Sequence, residues 1–266
     1  MRHWAGACLL VLAGLLQACA TPADEVAQRV AALLPADVIL LGEQHDAPEH
    51  RRLQRALVLE LARRQQLAAL AIEMAERGHS TAGLSPDASE ADIQAALHWN
   101  EAGWPWKDYS PVVMAAVRSG VPVLGANLAR DAMRSAMANQ TLETRLTPGS
   151  LEQQRANIRS GHCMLLPESQ ITPMARIQIA RDAAMADTIS SAAQAGRTVL
   201  LVAGGAHVAR NLAVPAHLPA TLRLKVVLAV AGKPDAARAS GADAVWETAP
   251  LPPVDHCAGL EQRIKR

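Results

Sequence analysis

Short runs of consecutive apolar residues alternate along this chain with longer segments of helical periodicity. The apolar runs predict strands at residues 38–41, 69–72, 121–125, 199–202 and 225–230, with a weaker strand near residues 244–246. Runs that lack a polar alternation are typical of strands buried on both faces. The order of strand, helix and strand therefore predicts an α/β fold with a mostly parallel sheet flanked by helices.

The first long helix is predicted over residues 48–64. Asp46 is placed to cap it, Glu49 to complete a capping-box-like pair, and Pro48 to occupy the first turn. One face of this helix is apolar and packs on the core. The residues predicted on that face are Leu53, Ala56, Leu57 and Leu61.

Helical patterns without strands occupy residues 78–108 and 128–172, and they predict helical insertions that form a smaller helical subdomain. Ser110 and Pro111 are expected to cap and start a helix that runs to Gly120. Thr172 and Pro173 are expected to open a longer helix that ends at Gly196.

The amino terminus has the features of an export signal. A basic residue, Arg2, precedes an apolar run at residues 5–16, which is too short to span a membrane. Residues 16–19 resemble the lipobox of bacterial lipoproteins, so residues 1–18 are predicted as a signal peptide and Cys19 as the lipidation site. The alternative is an ordinary secretory signal that leaves Cys19 as an oxidisable thiol.

Residues 19–36 are then a lipid-anchored tether and N-terminal segment, and residues 37–260 form the folded α/β domain with its helical insertions. No aspartate retention signal directly follows Cys19. A host that sorts lipoproteins by that signal would deliver this one to the outer membrane, on its periplasmic face or at the cell surface.

Composition narrows the possible functions. The net charge of +1 and the absence of a basic stripe argue against a nucleic-acid partner. The chain has no Phe and a single tyrosine, Tyr109, so its core must consist of Ala, Leu and Val. Of four cysteines, Cys8 leaves with the signal and Cys19 carries lipid. Cys163 and Cys257 remain, and one disulfide between them is the simplest prediction for an oxidising compartment.

Polar residues follow four of the predicted strands. Ligands gather at the carboxyl ends of strands in open α/β sheets, so these residues are expected to converge on one rim. They are Glu43 and His45, Glu73, Asn127 with Arg130, and His207. Each could instead be structural, as a histidine that caps a helix or a glutamate that pairs with an arginine.

Several motifs together resemble the ChaN-type haem-binding lipoproteins, which are related to the erythromycin-esterase-like and TraB-like superfamily. They span nearly the whole mature chain. They are Gly-Glu-Gln-His at 42–45, Trp106-x-x-Tyr109-x-Pro111, Pro122-Val123 through Ala126-Asn127, His162-Cys163, Arg181-Asp182 to Met185-Ala186, Gly205-x-His207-Val208, and Val245-Trp246 with Cys257.

The resemblance implies a membrane-anchored protein that binds haem and takes part in haem or iron uptake or handling. It also implies a homodimer with haems between protomers, and a haem-uptake receptor or transporter as a further partner. The haem would be non-covalent, because the Cys-x-x-Cys-His attachment motif is absent.

Tyr109 and His162 are the candidate axial ligands of the haem iron under this hypothesis. Tyr109 is expected on a loop before its helix, and His162 would be held in place if Cys163 is bonded to Cys257. A buried packing tyrosine and a solvated loop histidine are the structural alternatives. Further cofactor-binding candidates are His45, His207 and Trp106, with possible apolar lining from Trp104, Met114, Met164 and Met174.

The rival hypothesis is a hydrolase. Its catalytic set is Glu43, His45, Glu73 and His207, acting either through a divalent metal or as acid and base. The chain has neither a His-Glu-x-x-His helix nor a Gly-x-Ser-x-Gly elbow, so the sequence favours neither a zincin nor a serine hydrolase.

Overall fold

A parallel sheet of six strands forms the centre of the computed structural model, which describes residues 22–264. In chain order the strands are β1 (Val38–Glu43), β2 (Leu67–Glu76), β3 (Val123–Asn127), β4 (Thr198–Gly204), β5 (Leu224–Ala231) and β6 (Ala244–Thr248). Across the sheet the order is β3-β2-β4-β1-β5-β6, and every pairing is parallel. The predicted α/β fold class is confirmed. The predicted signal peptide and lipidated Cys19 lie outside the described residues.

Helices connect the strands and cover both faces of the sheet. They are α1 (Pro22–Leu33), α2 (Pro48–Arg63), α3 (Glu90–Ala96), α4 (Trp106–Arg118), α5 (Met133–Ala138), α6 (Pro148–Gly161), α7 (Glu168–Ala192), α8 (Val214–His217), α9 (Ala236–Ala239) and α10 (His256–Ile264). Short 3-10 turns follow β3, α5 and β4, at Arg130–Ala132, Gln140–Arg145 and Gly205–Val208.

Successive side chains of the central strands serve two separate cores, because a strand points alternate residues to opposite faces. Ile39 and Leu41 of β1 pack in a cluster with α2 and α4. Val38 and Leu40 pack in a second cluster with Met185 of α7. Helices α2 and α4 therefore lie on one face of the sheet, and α7 lies on the other.

Strand β3 begins two residues later than the apolar pattern predicts. Pro122 has no N–H to donate to a ladder, and its carbonyl instead accepts a hydrogen bond from the Leu70 N–H at 3.0 Å. The other strands extend by one to four residues beyond their predicted ends, and β1, β2 and β4 stay buried over nearly all of this added length.

Helix α2 begins at Pro48 as predicted, but its predicted cap is wrong. The N-cap is Ala47 rather than Asp46, and no side chain bonds to the free N–H groups there. A backbone bond from Ala47 N–H to Gln44 C=O places Asp46 inside a turn. The buried face is also rotated from the predicted one, since it includes His50 and Gln54 together with Leu57, Val58 and Leu61.

Helix α4 begins at Trp106, so Tyr109 lies in its first turn and not on a preceding loop. The Glu101 carboxylate accepts a hydrogen bond from the Trp106 N–H at 2.9 Å and supplies the cap that Ser110 was expected to give. Pro111 falls inside the helix, where it removes one backbone donor. Burial of the Trp106 and Tyr109 side chains compensates for that loss.

Helix α7 likewise begins earlier than predicted, at Glu168, with Pro173 inside it, and it ends at Ala192 before Gly196. Its first turn therefore precedes the Thr172–Pro173 pair that the sequence suggested as the start. The longer helix buries Ile171 and Ala175 against Ile158 of α6. This packing explains why the helix extends through a proline.

The fold begins inside the segment predicted as a tether, since α1 starts at Pro22. Val30 and Leu33 are buried, and the Arg64 guanidinium of α2 donates to the Ala27 carbonyl at 3.0 Å. Only Ala20 and Thr21 separate Cys19 from this helix in the sequence. Among residues 22–264, no helix has the length and apolar character required to cross a bilayer.

The predicted disulfide is present. Cys163, in the turn between α6 and α7, is bonded to Cys257 in α10, with their Cα atoms 5.6 Å apart. The bond links positions 94 residues apart in sequence. It holds the C-terminal segment, whose residues are mostly exposed, against the end of α6.

Candidate functional site

Three neighbouring strands bring their polar residues to one edge of the sheet. Glu43 ends β1, Glu73 lies near the end of β2, and Gly204 ends β4, which runs between them. This carboxyl rim is the convergence that the sequence predicts. Asn127 does not take part, because β3 is an edge strand and the Asn127 side chain accepts from the N–H of Leu128.

Glu43 is the acceptor around which one half of the rim is organised. Its Oε1 accepts a hydrogen bond from the Tyr109 hydroxyl at 2.9 Å and lies 2.8 Å from His45 Nδ1. Its Oε2 accepts from the side-chain amide of Gln54. The carboxylate is fully buried, so these donors replace the water that it loses on folding.

Arg51 of α2 closes this half of the rim. Its guanidinium lies over the Tyr109 ring, 4.9 Å from the ring centroid, and donates to the carbonyls of His45 and Ala47. His50 accepts a hydrogen bond from the Gln44 N–H at 3.0 Å through Nδ1. Helix α2 thus fixes both the backbone and the side chains of the loop after β1.

The other half of the rim is built on His207. Its Nδ1 lies 2.6 Å from the Asp182 carboxylate of α7, and its Nε2 lies 3.4 Å from Glu73 Oε1. Burial opposes protonation of His207, but the charges of Glu73 and Asp182 outweigh it and raise the pKa to about 10. The charge of Glu73 contributes more to this rise than that of Asp182, and burial raises the pKa of Asp182 itself.

Glu73 remains charged although it is buried. Burial alone would raise its pKa, but the His207 charge and hydrogen bond, the His45 charge and the Gly204 N–H together lower it to about 2. The Gly204 N–H donates to Glu73 Oε2 at 2.7 Å. A Cβ on Gly204 would approach His45 Nε2 to 2.8 Å, so a larger residue there would displace the His45 ring.

His45 joins the two halves and is the most accessible rim residue, with 39% of its side chain exposed. Burial disfavours its protonated form, but the hydrogen bond to Glu43 and the charges of Glu73 and Glu43 raise its pKa overall. Trp104 covers the ring, with centroids 4.8 Å apart. The rim therefore exposes the His45 imidazole, with the buried carboxylates of Glu43 and Glu73 beneath it.

Tyr109 is buried, and its hydroxyl is a neutral donor to Glu43. Burial and the charge of Glu43 both raise the pKa of Tyr109, which makes the tyrosinate form unfavourable. Trp106 is also buried, with its indole N–H 2.5 Å from Glu90 and its ring against Trp99. Both side chains belong to the core cluster of α2 and α4.

The rim has the donors and acceptors for proton transfer, which is the chemistry of the hydrolase hypothesis. No group of three or more His, Cys, Asp and Glu side chains within residues 22–264 has an arrangement suited to a metal ion. The metal-dependent form of that hypothesis gains no support from this arrangement. Acid and base action by Glu43, His45, Glu73 and His207 stays an alternative prediction.

His162 lies elsewhere, at the C-terminal end of α6. Because α6 packs on α7, this residue and Tyr109 are on opposite faces of the sheet. His162 Nδ1 lies 2.8 Å from the Ile158 carbonyl, which can only accept, so Nδ1 carries the proton. In the neutral ring, Nε2 keeps its lone pair, as in most metal-binding histidines.

The two residues after His162 have an unusual backbone. Cys163 and Met164 both have positive φ angles, of 57° and 60°, although neither is glycine. Such conformations cost free energy and persist where the surrounding structure enforces them. Here the Met164 N–H bonds to the Arg159 carbonyl, and the disulfide fixes Cys163. The Met164 side chain is left 70% exposed.

A cavity of about 490 Å³ runs beside the last turn of α6. Its walls come from α6, the turn after β4, and β5. They include Gly161, Gly205, Val208, Val226 and Leu228. A volume of this size is typical of small-molecule sites in proteins. Gly161, which lines the cavity, directly precedes His162 in the sequence. The cavity and His162 lie on the same side of the sheet.

Sequence analysis missed four contributors to the rim: His50, Arg51, Gln54 and Asp182. His50 and Gln54 lie four residues apart in one stripe with Leu57 and Leu61. Two polar residues on an otherwise apolar helix face could have indicated that they contact buried polar groups. Asp182 appeared only within a family motif, and nothing in its local pattern indicates contact with a histidine 25 residues later.

The comparison with protein families identifies the chain. The family described as "Haem-binding uptake, Tiki superfamily, ChaN" matches residues 29–218, which is more than half of the sequence. The chain belongs to this family. The predicted family is confirmed, and so is haem as the family's cofactor. No curated protein sequence matches the chain significantly.

Two solved structures are similar. One, described as "Cofacial heme binding to ChaN of Campylobacter jejuni", is 27% identical with a TM-score of 0.65, over 78% of this chain and 87% of that chain. The other, the type III effector HopBA1, is 16% identical with a TM-score of 0.50, over 85% of this chain and 94% of that one. The second likeness concerns the fold alone.

The buried pair of Glu73 and His207 predicts a specific pH dependence of stability. The pKa of His207 is raised from 6.5 to about 10, so its contribution is complete below pH 6.5 and is lost as the pH rises through about 10. The contribution of Glu73 is present above pH 4.5 and is lost as the pH falls through about 2. Urea unfolding of the wild type and of His207→Gln at each pH measures the difference between their free energies of unfolding.

We expect this difference in unfolding free energy to be largest near pH 5–6.5. Between pH 7 and 10 it should shrink by at most about 1.4 kcal/mol per pH unit. The exposed His98 provides the control, and His98→Gln should show no such trend. A difference for His207→Gln that is constant from pH 6 to 10 would contradict the ion pair.

Proposed function

We propose that this chain is a haem-binding lipoprotein for haem uptake or handling and that His162 is the haem-iron ligand it supplies. The observation that carries the proposal is the hydrogen bond from His162 Nδ1 to the Ile158 carbonyl, which orients the ring and leaves Nε2 for iron. The exposed thioether of Met164 offers apolar surface for a porphyrin, and Gly161, directly before His162, lines the cavity beside α6. Family membership gives the ligand class.

The other candidate residues fit this role less well. The Tyr109 hydroxyl is committed to Glu43 at 2.9 Å, and its deprotonation is disfavoured. His207 is held between two carboxylates, and Trp106 is part of the core. His45 is accessible, but both of its nitrogens lie near carboxylates. We propose that the rim is structural in this chain and that its task is to fix the loops after β1 and β4.

The proposed location is the outer membrane, reached through a signal peptide at residues 1–18 and a lipid on Cys19. The oxidised Cys163–Cys257 pair suits such a compartment. The partners we propose are haem, a second copy of the chain, and a haem-uptake receptor or transporter that exchanges haem with it. The motif at residues 16–19 supports the lipid anchor.

The ligand assignment predicts a difference between two variants. Haemin titration of detergent-solubilised, full-length protein, followed by absorbance, should show saturable binding by the wild type. In His162→Ala, the spectrum should shift, and haem should transfer to apo-globin at least about tenfold faster, which corresponds to about 1.4 kcal/mol. Tyr109→Phe keeps the ring but lacks the oxygen, and it should behave as the wild type.

His98→Ala is the control. It removes an exposed histidine that follows α3 and shows how much haemin binds nonspecifically to a surface imidazole. A shifted spectrum and rapid haem loss in Tyr109→Phe, with His162→Ala unaffected, would transfer the assignment to Tyr109. An absence of saturable binding by the wild type would remove the haem proposal for this chain.

The anchor is tested separately. Cys19→Ser should prevent lipid attachment, so the protein should leave the membrane fraction or accumulate as unprocessed precursor. The measurement is fractionation after washes with high salt and carbonate, together with the mass of the mature chain. Quantitative retention of Cys19→Ser in washed membranes would refute the anchor.

Haem binding should also be coupled to pairing of chains. A ligand bound at an exposed turn leaves one porphyrin face open, and a second protomer that covers this face buries apolar surface. Dimerisation should therefore become stronger with haemin, because a ligand that favours the dimer shifts the equilibrium toward it. Sedimentation velocity with and without haemin measures this shift, and equal sedimentation at all concentrations would contradict it.

A further inference from the structure

Helices α2 and α4 enclose a cavity of about 320 Å³ beside the loop after β1. Four cationic side chains line it, but only two anionic ones. The cations are Arg51, Arg52 and Arg55 of α2 and Lys107 of α4, and the anions are Asp46 and Asp108. Their net charge is +2, although the whole chain carries only +1. Positive charge is therefore concentrated at this cavity.

Most of this positive charge has no counter-ion in the protein. Within residues 22–264, neither Arg55 nor Lys107 has an ion pair or a hydrogen bond with another side chain. Arg52 pairs with Glu49 on its own helix. In the same part of the chain, no ion pair joins Asp46 or Asp108 to these cations. The cavity therefore offers cationic groups to an anion from solution.

Arg51 gives the cavity a fixed cationic wall. Its guanidinium donates to the carbonyls of His45 and Ala47 and lies over the Tyr109 ring. Its buried Nε–H has no acceptor within residues 22–264. A side chain that is already held in place loses little conformational freedom when a ligand binds. Guanidinium groups also bind phosphate and carboxylate groups through pairs of parallel hydrogen bonds.

His45 lines the cavity where it meets the carboxyl rim. The His45 nitrogens already face the carboxylates of Glu43 and Glu73, so any charge on this ring is balanced inside the protein. The unbalanced charge consequently belongs to the two helices. Pro48 and Pro111 add apolar surface to the same cavity. These walls suit a ligand with a strongly anionic group and a small organic part.

We propose that this cavity binds a phosphate monoester and that Arg51, Arg55 and Lys107 hold the phosphate. Such a group carries roughly −1.5 to −2 charges at neutral pH and three acceptor oxygens, so it balances the lining better than one carboxylate does. The volume is near the lower end for small-molecule sites and leaves room for an attached organic group.

This site is independent of the proposed haem ligand. Helices α2 and α4 pack on one face of the sheet, whereas His162 follows α6, which packs on α7 at the other face. A soluble phosphate monoester and the headgroup of phosphatidic acid present the same chemical group. The experiment therefore includes a probe for each source and is carried out without haemin.

The test uses full-length protein in detergent and a buffer without phosphate. Isothermal titration calorimetry with glycerol 3-phosphate should show saturable binding, and acetate should bind at least about tenfold more weakly. The double variant Arg55→Ala with Lys107→Ala should raise the dissociation constant for glycerol 3-phosphate at least about tenfold. Both side chains are exposed, so this variant should unfold in urea like the wild type. Arg51 is left intact because it also holds the loop after β1.

The matched control is Arg134→Ala with Lys233→Ala, which removes the same charge from exposed positions outside this cavity. It should keep the wild-type dissociation constant. An equal loss of affinity in both double variants would reveal a general attraction to positive charge and would overturn the site. The proposal also fails if the wild type shows no saturable binding, if acetate binds equally well, or if Arg55→Ala with Lys107→Ala binds like the wild type.

Dihexanoyl phosphatidic acid, used below its micelle concentration, identifies the source of the phosphate. Tighter binding of this lipid than of glycerol 3-phosphate, with the same loss in Arg55→Ala with Lys107→Ala, assigns the site to a lipid headgroup. Equal or weaker binding of the lipid assigns it to a soluble monoester. Both results keep the phosphate site, and neither depends on whether the chain binds haem.

Discussion

The arrangement of this protein depends on one buried negative charge, the Glu73 carboxylate at the carboxyl edge of the sheet. An uncompensated charge in such a place would be very costly, so the fold surrounds it with the His207 imidazolium, His45 and the Gly204 N–H. These contacts tie β2 to the loops after β1 and β4. Asp182 extends the network to α7, so that elements on both sides of the sheet are held to a single centre.

The apolar runs were sufficient to predict all six strands. The pattern is clearest for β1, β2 and β4, which are buried almost throughout and lack polar alternation, and weakest for β6, which is only partly buried. The helix starts were predicted less well. At α4, the cap comes from Glu101, whose distance from Trp106 depends on a loop that no periodicity describes. Strand ends predicted that Glu43, Glu73 and His207 would meet, but the pairing of His207 with Asp182 depends on the path of α7 across the sheet. Tertiary contacts of this kind leave no local pattern.

The rim and the α6–α7 turn separate two tasks that the sequence analysis combined. At the rim, every titratable side chain has a partner within the network, which favours a fixed structure. The turn has an oriented imidazole, a strained backbone and one strongly exposed apolar side chain, that of Met164. A ligand that bound there could gain free energy by contacting the imidazole and covering the apolar side chain. A family that shares the rim could therefore retain its fold while the turn determines what is bound.

The early start of α1 limits how far the folded part could move from a lipid on Cys19. Three peptide units link Cys19 to Pro22, and a fully extended chain of that length spans about 11 Å. A domain attached through so short a linker would stay at the bilayer surface, with α1 and the adjoining edge of the sheet nearest the headgroups. Haem would then have to travel to this protein or be collected from it, because the protein itself could not carry haem across the space between two membranes.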